Sequence, residues 1–134
     1  MSVIDSLHRA LEPLFPGLMG VRLVEVTPEK VVATLVVRPD LCTTHKSIHG
    51  GALMAFADTL GAIGTFMNLP KGAGTTTIES KTNFISGAPL GSKVTGESTP
   101  LHRGRTTQVW QTRITSEAGK LVAIVTQTQM VIPA

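Results

Sequence analysis

Between His49 and Lys71 the chain carries one ionisable side chain, Asp58, in the stretch 47–70, SIHGGALMAFADTLGAIGTFMNLP. Leu53, Phe56, Leu60, Ile63 and Met67 spread apolar surface almost all round a helix here. A helix without a polar face has to be wrapped by other elements rather than laid on a surface. Residues 50–69 approach the length of a membrane span, about 20 residues. Their glycines, threonines and central Asp58, and the strand-like sequence on either side, speak against one. A carboxylate in such surroundings is costly unless it is paired, neutralised or used. No basic residue lies within a helical turn to pair with it.

The remaining sequence supplies the wrapping. Residues 2–13 show helical spacing of Val3, Ile4, Leu7 and Leu11, with Ser2 or Asp5 as cap and Pro13 and Pro16-Gly17 as stops. Two β-rich runs, 21–27 and 31–38, flank Thr27-Pro28-Glu29-Lys30 and predict a hairpin. Residues 41–48 read as a polar loop into the central helix, which ends by Asn68-Leu69-Pro70. Four extended runs follow, 75–86, 92–102, 105–116 and 120–132, with turns predicted at 87–91, 102–105 and 116–120. Short turns make successive strands antiparallel. The expected class is α+β: one domain, 1–134, with a curved antiparallel sheet rolled around a long central helix.

Composition narrows the function. The net charge of +3 is too mild for a nucleic-acid binder, and no basic stripe carries aromatic platforms. It suits an anionic small molecule. Cys42 is the one cysteine, which rules out an internal disulfide and fits a reducing, cytoplasmic setting. The first 17 residues lack the charged start and continuous apolar core of a signal peptide. Charged residues are only 16% of the chain, which leaves room for surface hidden in an oligomer. Cys42, His45 and His49 have the spacing C-x2-H-x3-H, but a fourth ligand and a local nucleophile signature are missing, so no metal is expected.

Gly50 and Gly51 place bare N–H groups at the helix start, where the positive end of the helix favours negative charge. Together with the acid they are two parts of an acyl-transfer site. His49 suits bracing that loop better than proton transfer, since Asp58 already supplies a base. Gly50 and Asp58 lie eight residues apart, about 12 Å along a helix. One carbonyl cannot touch both, so a site using both takes them from two chains, as a two-fold dimer allows.

The segment from His49-Gly50-Gly51-Ala52-Leu53 to Ala57-Asp58-Thr59, behind two strands and ahead of four, resembles the hotdog-fold acyl-CoA thioesterases, nearest the 4-hydroxybenzoyl-CoA and phenylacetate-pathway superfamily. The resemblance implies hydrolysis of acyl-CoA to free acid and coenzyme A. The Gly50 N–H would polarise the thioester carbonyl, and Asp58 would serve as general base or nucleophile. Thr77, with Thr76 beside it, would help place the water. Arg103 and Arg105 would contact the nucleotide end of coenzyme A. The acyl group would lie near Gly51, Leu53, Met54 and the facing subunit. Where many relatives carry Asn, six residues before the motif His, this chain has Thr43, and Lys46 stands where many carry Gly. Thr43, Thr44 and His45 are all open as replacements for the Asn contact. The family needs no cofactor beyond its substrate, and homodimers or homotetramers are implied. The alternatives are an acyl-thioester binding protein and a hotdog dehydratase or hydratase.

Overall fold

The computed structural model describes residues 1–134. Helix α1 spans Val3–Leu11 and is closed by a capping box, with Ser2 Oγ accepting from the Asp5 N–H and the Asp5 carboxylate from the Ser2 N–H. Both cap candidates therefore act together. A short helix α2, Phe15–Met19, follows, with Pro16 in its first turn. Strands β1 (Arg22–Thr27) and β2 (Lys30–Val36) form the expected hairpin. The 41–48 loop is more ordered than its polarity suggests: β3 (Cys42–Thr43) and β4 (Ser47–Ile48) pair across a tight turn in which His45 and Lys46 have positive φ. Helix α3 spans Gly50–Phe66, and β5 (Gly74–Phe84), β6 (Lys93–Arg103), β7 (Thr107–Thr115) and β8 (Leu121–Ile132) complete the chain.

The six long strands form one sheet in the order β1-β2-β6-β7-β8-β5, antiparallel throughout. The expectation that β5 and β6 are joined by a simple turn at 87–91 is corrected. β5 pairs with β8 at the far edge, and the segment after it crosses the end of the sheet, bridging Ser47 through Pro89. Eight residues between the two strands are enough for that crossing, where a two-residue hairpin turn would not be.

Period-two burial sets the concave face. Val31, Ala33 and Leu35 of β2, Trp110 and Ile114 of β7, and Ala123 and Val125 of β8 are buried, with Phe56 and Leu60 of α3 packed between them. Each large apolar side chain buried this way contributes about 1.5–3 kcal/mol. Two helix glycines let the sheet approach. A Cβ on Gly64 would sit 2.6 Å from the Trp110 ring, and one on Gly61 would overlap the Gln127 amide. Trp110 is fully buried and has nowhere to go. Overpacking in Gly64→Ala is expected to cost about 1–3 kcal/mol, which less the roughly 1 kcal/mol that Ala gains over Gly in a helix leaves a net loss of up to about 2 kcal/mol. A denaturant melt reads the difference.

Helix α1 closes the helix side of the sandwich. Its Leu7 and Leu11 pack on the core, and His8 Nε2 accepts the Leu23 N–H at 2.9 Å, tying the helix to β1. No helix is long and apolar enough to cross a membrane.

Candidate active site

Asp58 projects from the middle of α3 towards β5. Its Oδ1 accepts from the Thr77 hydroxyl at 2.5 Å and from Gln127 Nε2 at 3.2 Å, and the same Gln127 nitrogen lies 3.3 Å from the Asp58 carbonyl oxygen. Thr77 in turn accepts from Gln129 Nε2 at 2.6 Å. Asp58 Oδ2 has no protein donor, and no cation pairs with the carboxylate. Asp58 is half-buried rather than enclosed. It opens on both sides of α3. One hollow, about 380 Å³, is walled by Leu7, Leu11 and Pro16 against Ala62, Ile63 and Phe66. The other, about 270 Å³, is formed with Met54, Ala55, Thr77 and Ser80.

Thr77 and Asp58 meet because β5 runs alongside α3. A bulge between Thr77 and Glu79 leaves Ile78 unpaired beside the contact. Bulges re-aim side chains next to functional sites. Gln127 and Gln129, two residues apart on the core-facing side of β8, are buried and carry the other half of the network. Neither was picked out from sequence, although both are in phase with the buried Ala123 and Val125. Gln127 reaches Asp58 only because Gly61, less than one turn along α3, has no side chain in the way.

The N-terminus of α3 is built separately. His49 is its N-cap: Nδ1 accepts the Gly51 N–H at 2.8 Å, so the neutral ring carries its proton on Nε2. This bond ties the His49 ring to the first turn of α3. The Gly50 N–H finds no acceptor in the chain, whereas the Gly51 N–H is taken by His49. Gly50 and Leu53 line a third hollow, about 340 Å³, with Phe84, Ile85 and Gly87. Leu53 itself is 3% exposed, and Met54 is at the surface of the Asp58 side. The Gly50 and Asp58 hollows are thus distinct within one chain.

The remaining sequence candidates lie further out. The His49 N–H donates to the Leu41 carbonyl, so Thr43 stands two residues along the small hairpin, about 7 Å from its base. Arg103 is at the other end of α3. Its Nη1 donates to the Pro28 carbonyl and to Asn68 Oδ1 and lies 3.9 Å from the Glu29 carboxylate. Arg105, in the β6–β7 turn, is exposed and makes no bond within the chain. Cys42, His45 and His49 form no cluster with metal-ligand geometry; the Cys42 thiol faces the Arg38 carbonyl.

A sheet wrapped around one long helix is the hotdog arrangement. Residues 45–123 match the family described as the Thioesterase superfamily, and the chain belongs to it. A protein of Vibrio cholerae, provisionally named an esterase, is 36% identical over 103 residues, covering 75% of this chain and 66% of that one. The solved structure of a Haemophilus influenzae thioesterase superposes with a TM-score of 0.92 at 26% identity, covering 98% of this chain and 92% of the other. A thioesterase of Pseudomonas aeruginosa reaches a TM-score of 0.94 at 24% identity, covering 100% and 96%, a likeness of fold.

Proposed function

We propose that the protein hydrolyses acyl-CoA thioesters at a site shared by two subunits, with Gly50 of one chain and Asp58 of the other. One observation carries this reading: Asp58 has one oxygen held by two donors and the other free, beside a largely apolar hollow. In that site the Gly50 N–H stabilises the charge that develops on the thioester oxygen. Asp58 either takes a proton from the water that attacks the carbonyl, or attacks the carbonyl itself to form a mixed anhydride that water then hydrolyses. Thr77 keeps one lone pair free to accept from the water. The thiolate of coenzyme A leaves and is protonated, and the acid is released. Arg105, free of protein partners, is the better placed of the two turn arginines to hold a phosphate.

The surface of β5 supports the shared site. It is an 11-residue edge strand with an unpaired backbone side, and Ile78, Phe84 and the following Ile85 are more than half exposed. Ser80 Oγ and Thr82 Oγ1 on the same strand are buried without a partner. An open, apolar edge of this length is a template for another strand. Antiparallel pairing of two β5 strands, centred between Ser80 and Lys81, sets Phe84 beside the partner's Thr77. That carries the Gly50 hollow of one chain to the Asp58 side of the other. A relative from Listeria monocytogenes, 28% identical over 106 residues, is named a 1,4-dihydroxy-2-naphthoyl-CoA hydrolase. It makes aromatic acyl groups the first to try here. We place the protein in the cytoplasm, where coenzyme A thioesters and a reduced Cys42 coexist.

The test is release of free thiol from a panel of aromatic and straight-chain acyl-CoAs, followed beside sedimentation of the purified protein. Cleavage by a dimer or tetramer supports the reading. No cleavage of any thioester, or full activity from a stable monomer, refutes it.

A further inference from the structure

We propose that Gln129 is a positioning residue for thioester hydrolysis: by donating to Thr77 it commits the Thr77 proton to Asp58 Oδ1 and leaves Oδ2 as the reacting oxygen. This rests on reading Asp58 as the reactive acid. An ionised carboxylate brings no proton to a hydrogen bond, so the proton in the 2.5 Å Thr77–Asp58 contact belongs to Thr77. A hydroxyl has only one. The contact between Thr77 and Gln129, at 2.6 Å, therefore has to be donated from the amide side. The observed orientation meets that demand: Nε2 faces Thr77 and Oε1 faces the Thr75 hydroxyl at 3.0 Å.

The chain of donors runs one way, from Gln129 to Thr77 to Asp58. Gln129 is fully buried, so no water competes for its amide. Gln127 adds a second donor to the same Oδ1. Two donors on Oδ1 fix the carboxyl plane and reduce the charge density of that oxygen. Oδ2 retains its lone pairs for the substrate.

Gln129→Met removes the donor and keeps an unbranched side chain of similar length. Thr75 is not stranded by this change, since its hydroxyl also lies 2.9 Å from the Met130 carbonyl. The expected result is a fall in kcat on the order of 10- to 100-fold, the cost of misplacing a reacting group, with KM little changed. Because Gln129 acts through Thr77, the same substitution made in a Thr77→Ala protein is expected to have no further effect. A structural role would instead lower kcat equally in both backgrounds. Gln129→Leu also removes the donor and is expected to lower kcat as far, so it serves where the Met variant does not fold. Wild-type kcat in a folded Gln129→Met or Gln129→Leu protein overturns the proposal, as do equal losses with and without Thr77. Asp58→Asn is measured alongside. If it is inactive while the Gln129 variants are not, only the role of Gln129 falls. If it is active, the reading of Asp58 falls and takes this one with it.

Discussion

Asp58→Asn is expected to lower kcat for thioester hydrolysis by about 10²–10⁴-fold, the range over which a positioned acid or base contributes. A nucleophilic role would put the loss at the upper end or beyond it. KM should change little, because the carboxylate is needed in the transition state more than in binding. Stability is expected to move the other way or not at all. Asp58 has no cationic partner to lose, and an Asn carbonyl oxygen still accepts from Thr77 and Gln127. Removing a charge from a half-buried, apolar setting relieves a desolvation cost. Active-site groups commonly hold such costs, so the variant should melt at or above the wild-type temperature. Paired assays of thiol release and thermal unfolding check both halves. A variant that loses activity and stability together would mean that Asp58 holds the fold, not the reaction. Unchanged thiol release would return the protein to the non-catalytic binding alternative.

The parts of this site that were legible in the sequence are those with a period or a composition. The apolar run fixes α3 and its need to be wrapped, and the alternation through Val31, Ala33 and Leu35 fixes β2 and its buried face. Asp58 stands out because nothing nearby could neutralise it. Thr77 was reached by resemblance, and the structure brings its hydroxyl to Asp58. Gln127 and Gln129 were passed over because TQTQ in β8 alternates two polar residue types and hides which face is inside. Only the phase set by Ala123 and Val125 places the glutamines on the helix side. Helix α2 and the β3–β4 pair are too short to show any period. The position of β5 beside β8 is a matter of long-range pairing, to which the intervening loop gives no clue.

Gly50→Pro isolates the other half of the site. Pro lacks the N–H, and the first residue of a helix is where that absence costs the fold least. The preceding residue also permits it: His49 has φ −68° and ψ 137°, the extended region that a following Pro requires. An added Cβ at Gly50 meets only the Phe84 ring, about 3.0 Å away, and that ring is more than half exposed and able to shift. Gly50→Ala introduces the same Cβ and keeps the N–H, so it controls for the Cβ and leaves the amide and the closed ring as the difference. Losing one donor to the oxyanion is expected to cost kcat about 10²–10³-fold. Each chain would then carry a separate lesion, and mixing them tests where the site is built. In a dimer of one Asp58→Asn chain and one Gly50→Pro chain, a shared-site geometry puts both lesions in one site and none in the other. Random co-assembly from equal amounts restores about a quarter of wild-type activity, because half the dimers are mixed and each has one intact site. If each chain used its own Gly50 with its own Asp58, every site would carry a lesion and mixing would restore nothing. The separation of about 12 Å along α3 favours recovery.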